Sequence, residues 1–329
     1  MLRYSEASGL LARVGQMHRS TSAQHDNRAP TPLPQHPLRI TNYALLVTHY
    51  VPRESLMKLG LINSAWSQAG KGTEFGIVQT KRVGFDTIDI QADPLDLDVR
   101  ERKLIRDVAR REKLPIKSVC CVATGLCDFN YSVQRFSVDR VRQYLDFCYE
   151  LGADNLLLVL GEYIWEQQVI PPTEQWQTAV NNTQECARYA RTLGLEIAIE
   201  LEPFKLSLVN SVDTMLQFLD DVGSSSVKAN CDISHLHLVG TPPREVQRLK
   251  GQIAHVHLSD CNGKTHGDLP PGRGITPIKD YLAQIQETGF DRTVSIELEY
   301  SPQPERIVEW VEEAYRETDK IMKELGCRG

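Results

Sequence analysis

The chain of 329 residues lacks a long uninterrupted apolar run and an excess of basic residues. A membrane span needs about 20 consecutive apolar residues, and no segment approaches that length, so we expect no membrane as a partner. The 37 Lys and Arg residues are outnumbered by 43 Asp and Glu residues, and the formal net charge is −6. Because phosphate binding needs a basic surface, we expect no nucleic acid as a partner and favour small-molecule chemistry.

Two cofactor signatures are also missing. The eight cysteines never adopt the Cys-x-x-Cys spacing of a thiolate metal site, and most lie in apolar runs, where cysteine behaves as a small hydrophobic residue. We therefore predict free thiols in a reducing compartment, and a cytoplasmic location. No Gly-x-Gly-x-x-Gly turn follows an early strand-like run, which argues against a dinucleotide-binding open sheet.

The first residues differ in composition from the rest of the chain. Residues 1–36 contain only Glu6 and Asp26 as acids and close in a proline-rich stretch. We predict an N-terminal tail or arm here, with an organelle transit peptide as the alternative. The first residues lack the long apolar core of a secretory signal.

From residue 38 onward, short β-rich runs alternate with longer segments of helical apolar spacing, such as 138–151, 176–193 and 212–222. The β-rich runs are 43–47, 87–91, 117–122, 155–160, 196–201, 227–231, 254–258 and 294–298. Eight such units with strands that are apolar on both faces indicate a parallel (β/α)8 TIM barrel of the α/β class. A doubly wound open sheet is the alternative. We predict one TIM-barrel catalytic domain over residues 37–329.

The motif Ile-Glu-Leu-Glu occurs twice, at 199–202 and at 296–299, each time where a strand-like run ends. Asp232 and His257 end the two runs between these copies. In a barrel of this kind the active site lies at the carboxyl ends of the strands, so these side chains are expected to meet. Carboxylates and an imidazole suit a hard divalent metal, and carboxylates also transfer protons. The pattern therefore predicts a metal site with acid-base groups.

The chain resembles the xylose-isomerase-like sugar isomerase and epimerase superfamily, and within it the D-tagatose and D-psicose 3-epimerases. The matching segments are 197–200, 227–235, 253–257, 271–274 and 294–297. The resemblance implies a TIM barrel that acts on a small-molecule sugar or sugar derivative.

The resemblance also implies the metal ligands, which are Glu200, Asp232, His257 and Glu297. The metal expected from the family is Mn, with Mg or Co as alternatives. In the family mechanism the metal polarises adjacent sugar oxygens, one glutamate removes a proton next to the carbonyl, and the opposite glutamate returns a proton to the other face. Glu200 and Glu297 are thus the expected catalytic residues, and Glu202 and Glu299 are expected to support them.

Candidate substrate-binding residues lie around these ligands. His235 matches a family position that contacts the sugar, and Trp165 follows the fourth strand-like run, where it can stack on a sugar or pack. The epimerases carry an arginine in the loop after the seventh strand, which this chain lacks, so His266 or Lys264 is the expected substitute. Arg273 is the one hint of an anion site for a phosphorylated substrate.

Four functions remain open. The first is a metal-dependent isomerase or epimerase of a sugar or cyclic polyol. The second is a metal-dependent lyase acting on an oxidised sugar, such as the barrel subunit of a C-glycoside deglycosidase, which needs a partner subunit. The third is a DNA repair enzyme of the endonuclease IV type, for which His49, His235 and His266 are available. The fourth is a binding or scaffold subunit. We expect a homo-oligomer.

Overall fold

The computed structural model describes residues 56–161 and 171–329, in which eight parallel strands close into a barrel. The strands are β1 Lys58–Ile62, β2 Thr87–Ile90, β3 Ile116–Val122, β4 Asn155–Val159, β5 Glu196–Ile199, β6 Val227–Asp232, β7 Ile253–Leu258 and β8 Thr293–Ile296. Each strand pairs with its neighbour in chain order, and β1 pairs with β8, with Leu59 opposite Val294. The predicted (β/α)8 TIM barrel is confirmed.

The first strand does not lie where the sequence pattern placed it. The first strand of the barrel is Lys58–Ile62, whereas the predicted first run, 43–47, lies outside the described residues. Gly60 interrupts β1 and weakens its strand signal. The glycine is required, because a Cβ atom there would lie 2.5 Å from Thr87 Oγ1 and 2.6 Å from Ser295 Oγ. The other seven predicted runs overlap the observed strands.

The helices of the described ranges pack around the barrel and alternate with the strands. They are α1 Ser64–Ser67, α2 Thr73–Val83, α3 Val99–Arg111, α4 Tyr131–Leu151, α5 Pro172–Leu193, α6 Val212–Val222, α7 Ile233–Leu238, α8 Ile278–Glu287 and α9 Ile307–Glu324. The predicted helical segments correspond to α4, α5 and α6. α4 begins earlier than predicted because the Asn130 side chain accepts a hydrogen bond from the Ser132 backbone N–H at 2.9 Å and caps the helix.

The described residues belong to one compact unit, Val51–Gly329. The predicted tail or arm, residues 1–36, lies outside the described residues. All eight cysteines are buried and free, which confirms the prediction of free thiols. Within 56–161 and 171–329, no helix combines the length and apolarity that a membrane span requires.

The last residues of the chain attach to the start of β1. The Gly329 backbone N–H donates to the Met57 carbonyl at 2.9 Å. The Arg328 guanidinium, whose side chain is 10% exposed, forms ion pairs with Asp319 at 2.9 Å and with Asp86. Asp86 in turn accepts the Leu59 backbone N–H at 2.9 Å. These contacts join the carboxyl terminus to the strand that closes the barrel.

We expect Arg328→Met to lower the free energy of unfolding by about 1.5–3 kcal/mol, the range for hydrogen bonds to charged groups. The physical reason is that Asp86 and Asp319 both lose a partly buried cation. Urea unfolding followed by circular dichroism measures the change. Arg316→Met is the matched control because the side chain of Arg316 is 66% exposed. Equal stability of the two variants would show that the carboxyl-terminal contacts do not stabilise the barrel.

Candidate functional site

A cavity of about 100 Å³ opens at the carboxyl ends of the strands, and both copies of the repeated motif contribute glutamates to it. Its lining residues are Gln91, Cys120, Cys121, Val122, Leu157, Val159, Glu200, Glu202, His235, His257, His266, Glu297, Glu299 and Tyr300. β5 and β8 end just before Glu200 and Glu297, so all four glutamates lie in the loops that follow the strands. The sequence therefore brings its two repeated segments to one place through the barrel topology.

Three of the predicted metal ligands form a tight buried group. One ligand atom from each of Glu200, Asp232 and His257 lies within 4.8 Å of the others. All three residues are at most 3% exposed. Glu200 Oε1, Asp232 Oδ2 and His257 Nε2 are buried without a hydrogen-bond partner. Buried polar atoms normally have partners, so this group has unused capacity to bind a cation.

Neighbouring side chains hold these carboxylates in place. The Asn230 amide donates to Glu200 Oε2 at 2.7 Å. Asp232 ends β6 and caps α7: its Oδ1 accepts the His235 backbone N–H at 2.7 Å and the Ser234 hydroxyl at 2.9 Å. Each carboxylate thus has one oxygen fixed by the protein and one oxygen free to bind a ligand. Asn230 was not predicted, although it lies two residues before Asp232 and therefore on the same face of the strand.

Glu297 adjoins this group through His257. Glu297 Oε2 lies 3.3 Å from His257 Nδ1, and Glu200 Oε2 lies 3.8 Å from the same nitrogen. Burial, followed by repulsion from Asp268 and Glu299, holds the pKa of Glu297 well above its usual range. Burial lowers the pKa of His257, which favours the neutral imidazole that a metal ligand requires. The four predicted ligands are therefore brought together, and their role as ligands stays a prediction.

His235 and His266, both predicted to bind substrate, contact each other in the cavity. His235 Nδ1–H donates to the Leu201 carbonyl at 2.7 Å, and the two Nε2 atoms are 2.6 Å apart. Because a carbonyl only accepts, Nδ1 of His235 carries a proton. Lys264 is exposed and is not among the lining residues, so the structure does not bring it to the cavity. Trp165 lies outside the described residues.

A second buried pair lies inside the barrel beside His257. His255 Nε2–H donates to Asp89 Oδ2 at 2.8 Å, and Asp89 Oδ1 accepts the Ser118 backbone N–H at 3.0 Å. Burial alone would raise the pKa of Asp89, but attraction to His255 and His257 and hydrogen bonds from His255 and Ser295 together outweigh burial, and the pKa is lowered. His255 is thus hydrogen-bonded within the core. Asp89 was missed, although a lone acid in the apolar strand β2 is visible in the sequence.

Asp268 is a further buried acid that the sequence did not indicate. It is 0% exposed, accepts the Ser259 hydroxyl at 2.8 Å and lies 3.7 Å from His266 Nε2. Burial, followed by repulsion from Asp232, raises the pKa of Asp268 to about 7. Nothing in the loop sequence distinguishes this aspartate from an exposed one, so only the folded chain reveals it.

In the loop after β7, the backbone N–H groups that could bind an anion are hydrogen-bonded to Asp260, a residue of the same loop. Asp260 Oδ2 accepts the Gly272 and Gly274 backbone N–H groups at 2.9 and 2.8 Å, and Oδ1 accepts those of Cys261 and Thr276, each at 2.9 Å. The glycine turn therefore binds a carboxylate of the protein itself. This arrangement leaves none of these four amides for a substrate phosphate.

Arg273, the residue that hinted at an anion site, is directed to α9. Its guanidinium donates to both oxygens of Glu313, at 2.8 and 2.6 Å, and lies 4.4 Å from the centre of the Trp310 ring. This bidentate pair uses the Nε and Nη2 donors and directs the guanidinium towards α9. Arg273 is also absent from the residues that line the cavity, so it does not supply the anion site.

Comparison with known proteins agrees with this architecture. A family model described as xylose isomerase-like TIM barrel matches residues 77–324. The chain is 23% identical over 237 residues to fructoselysine 3-epimerase of Escherichia coli O157:H7, which covers 68% of this chain and 85% of that protein.

Solved structures show the same fold at low sequence identity. D-Allulose 3-epimerase from Methylomonas sp. in complex with D-allulose aligns with a TM-score of 0.70 at 18% identity, covering 81% of this chain and 97% of that one. The IOLI protein with a bound zinc atom aligns with a TM-score of 0.69 at 19% identity, covering 82% and 99%.

Asp260→Asn tests whether this carboxylate organises the loop that carries His266. The amide can replace only one acceptor oxygen, so two backbone N–H groups lose their partner, at a cost of about 1–3 kcal/mol for each buried unpaired group. We expect lower stability, measured by urea unfolding, and faster hydrogen exchange at Gly272 and Gly274. Asp291→Asn, at an exposed position, is the control. Unchanged exchange in Asp260→Asn would contradict the assignment.

Proposed function

The chain belongs to the xylose isomerase-like TIM barrel family, and from that premise we propose that it is a divalent-metal-dependent epimerase or isomerase of a sugar. The observation that carries the proposal is the convergence of three buried, unpartnered ligand atoms, from Glu200, Asp232 and His257, beside Glu297. Similar proteins are named 3-epimerases of fructoselysine and D-allulose, which supports the same chemistry here.

The donor set fits a hard or borderline divalent cation. Carboxylate oxygens suit Mg²⁺ and Mn²⁺, and an imidazole nitrogen extends the choice to Co²⁺ and Zn²⁺. We propose Mn²⁺, held by Glu200, Asp232, His257 and Glu297, with Mg²⁺ or Co²⁺ as substitutes. A bound metal would polarise the substrate carbonyl and make the adjacent C–H bond more acidic. The IOLI protein, which has the same fold, is described with a bound zinc atom, and this supports metal binding by a barrel of this kind.

Glu200 and Glu297 are the proposed proton-transfer residues. They follow β5 and β8, which are three strands apart in the eight-stranded barrel, so they approach the cavity from different sides. One carboxylate would remove the proton next to the carbonyl, and the other would return a proton to the opposite face of the same carbon.

His235 and His266 would orient the sugar. Their contact places two imidazoles on one side of the cavity, where His235 is fixed by the Leu201 carbonyl. The Phe204 and Tyr300 rings lie 6.1 and 6.2 Å from the His266 ring and border the same side. Imidazole nitrogens can donate to or accept from sugar hydroxyls. A homo-oligomer and the cytoplasmic location are part of the same proposal.

Metal analysis tests the proposed site directly. Protein dialysed against Mn²⁺ should retain about one Mn per chain, measured by elemental analysis. His257→Ala and Asp232→Asn should weaken Mn binding by more than about 100-fold, because substitutions around metal ligands alone cost about 10 to 100-fold. Asp213→Asn is the matched control, since the side chain of Asp213 is 77% exposed. About three zinc ions per chain would instead support the nuclease type.

Isotope exchange tests the chemistry. Mn-loaded protein incubated with ketohexoses in D₂O should give the 3-epimer with deuterium at the inverted carbon, observed by NMR. Glu200→Gln and Glu297→Gln should each lower kcat by about 10² to 10⁴, the contribution of general acid-base catalysis. Glu312→Gln, at an exposed position, is the control and should keep full activity.

The same proton abstraction would begin an elimination, so the product distinguishes epimerase from lyase. A parallel incubation with 3-oxo-glycosides therefore accompanies the ketohexose assay, with and without added cell extract as a source of a partner subunit. If the protein releases the aglycone but exchanges deuterium into none of the ketoses, the lyase replaces the epimerase as the proposed function.

A further inference from the structure

The cavity carries more negative charge than the proposed metal site uses. Four of its lining residues are glutamates and three are histidines, and none of its lining residues in the described part of the chain is lysine or arginine. Glu200 and Glu297 belong to the proposed metal site, and Glu299 is a further acid of the cavity that this site does not use. The Glu299 side chain is only 7% exposed.

Glu299 is directed into the cavity by a constrained turn. Its Oε1 atom is buried without a hydrogen-bond partner. The next residue, Tyr300, adopts a positive φ of 51°, which is uncommon for a residue other than glycine and costs of the order of 1–3 kcal/mol. The Tyr300 backbone N–H donates to Gln68 Oε1 at 2.8 Å and holds that conformation. A partnerless carboxylate oxygen in a fixed loop indicates a binding group.

Asp268 adds a second partnerless acidic oxygen behind His266. Its Oδ1 accepts the Ser259 hydroxyl, whereas Oδ2 is buried without a partner. Its backbone also adopts a positive φ, of 34°. Glu299 and Asp268 lie on the loops after β8 and β7, so two independent loops present unsatisfied acidic oxygens around the same imidazole-lined region.

We propose that the sugar substrate carries an amino group, whose ammonium ion binds to Glu299 in this cavity. The inference rests on the proposed function, because the metal and the proton-transfer residues must still act on the ketose part of the same molecule.

Charge distinguishes an amine from the other substituents a sugar can carry. A hydroxyl would satisfy the hydrogen bond of Glu299 but would leave the buried negative charge uncompensated, whereas an ammonium supplies donors and charge together. A phosphate or carboxylate would be repelled by the glutamates. Arg273 does not relieve that repulsion, because its guanidinium is paired with Glu313.

A set of matched ketoses tests the proposal on the Mn-loaded full-length protein. The probes are 1-amino-1-deoxy-D-fructose and 6-amino-6-deoxy-D-fructose, their N-acetyl derivatives, D-fructose and D-fructose 1-phosphate. Deuterium exchange at carbon 3 gives kcat/KM for each. We expect at least one amine to exceed its N-acetyl derivative by about 10-fold or more, which corresponds to about 1.4 kcal/mol. The phosphate should be the poorest substrate.

Variants of Glu299 connect this preference to the residue. Glu299→Gln should bring the ratio of amine to N-acetyl derivative close to one, whereas Glu299→Asp, which keeps the charge, should retain most of the preference. Glu305→Gln, at an exposed position in the same loop, should leave the ratio unchanged. Mn binding by calorimetry verifies that each variant is folded and keeps the metal site.

Two results would overturn the inference in different ways. If neutral ketoses exchange and the amines show no preference, or the preference survives in Glu299→Gln, the amine site is wrong while the proposed function stands. If no ketose exchanges although Mn binds, the proposed function itself fails, and the substrate class fails with it.

Discussion

Crowding of buried carboxylates at one end of the barrel is the constraint on which the site depends. Pairing of β1 with β8 closes the sheet, and a closed parallel sheet directs the carboxyl ends of all eight strands to the same opening. The two copies of Ile-Glu-Leu-Glu, far apart in sequence, therefore deliver their glutamates to one cavity. Ionised carboxylates in a poorly hydrated region repel one another, so protonation, hydrogen bonds or a bound cation must offset that repulsion.

The protein offsets part of the repulsion between these carboxylates with hydrogen bonds from neutral donors. Asn230 holds one oxygen of Glu200, Ser234 holds one oxygen of Asp232, and Ser259 holds one oxygen of Asp268. In each case the second oxygen keeps an unused lone pair. The acids are thereby fixed in orientation but not neutralised, which is the arrangement expected where a ligand completes the coordination.

Elsewhere on the same end of the barrel, charged groups satisfy each other. Asp260 binds the amides of the glycine turn, and Arg273 binds Glu313. Inside the barrel, Asp89 and His255 form a closed pair. Unsatisfied charge is therefore concentrated on acidic side chains that face the cavity, and this asymmetry, more than any single residue, favours cationic or neutral ligands over anionic ones.

The sequence by itself determined the barrel and the acidic and histidine strand ends of the site, because strand periodicity, helix signals and polar residues at strand ends are local patterns. The resemblance to the epimerases then selected Glu200, Asp232, His257 and Glu297. The sequence pattern misplaced β1, because Gly60 weakens the local signal while the barrel interior requires it. The acidic residues that the sequence did not single out are distinguished by their burial in the folded chain. Asp89, Asp268 and the unpartnered oxygen of Glu299 resemble ordinary acids in the sequence, since desolvation and pairing arise only when distant segments pack together. The tertiary structure likewise decided that Arg273 is directed to α9, because its partner lies 40 residues away.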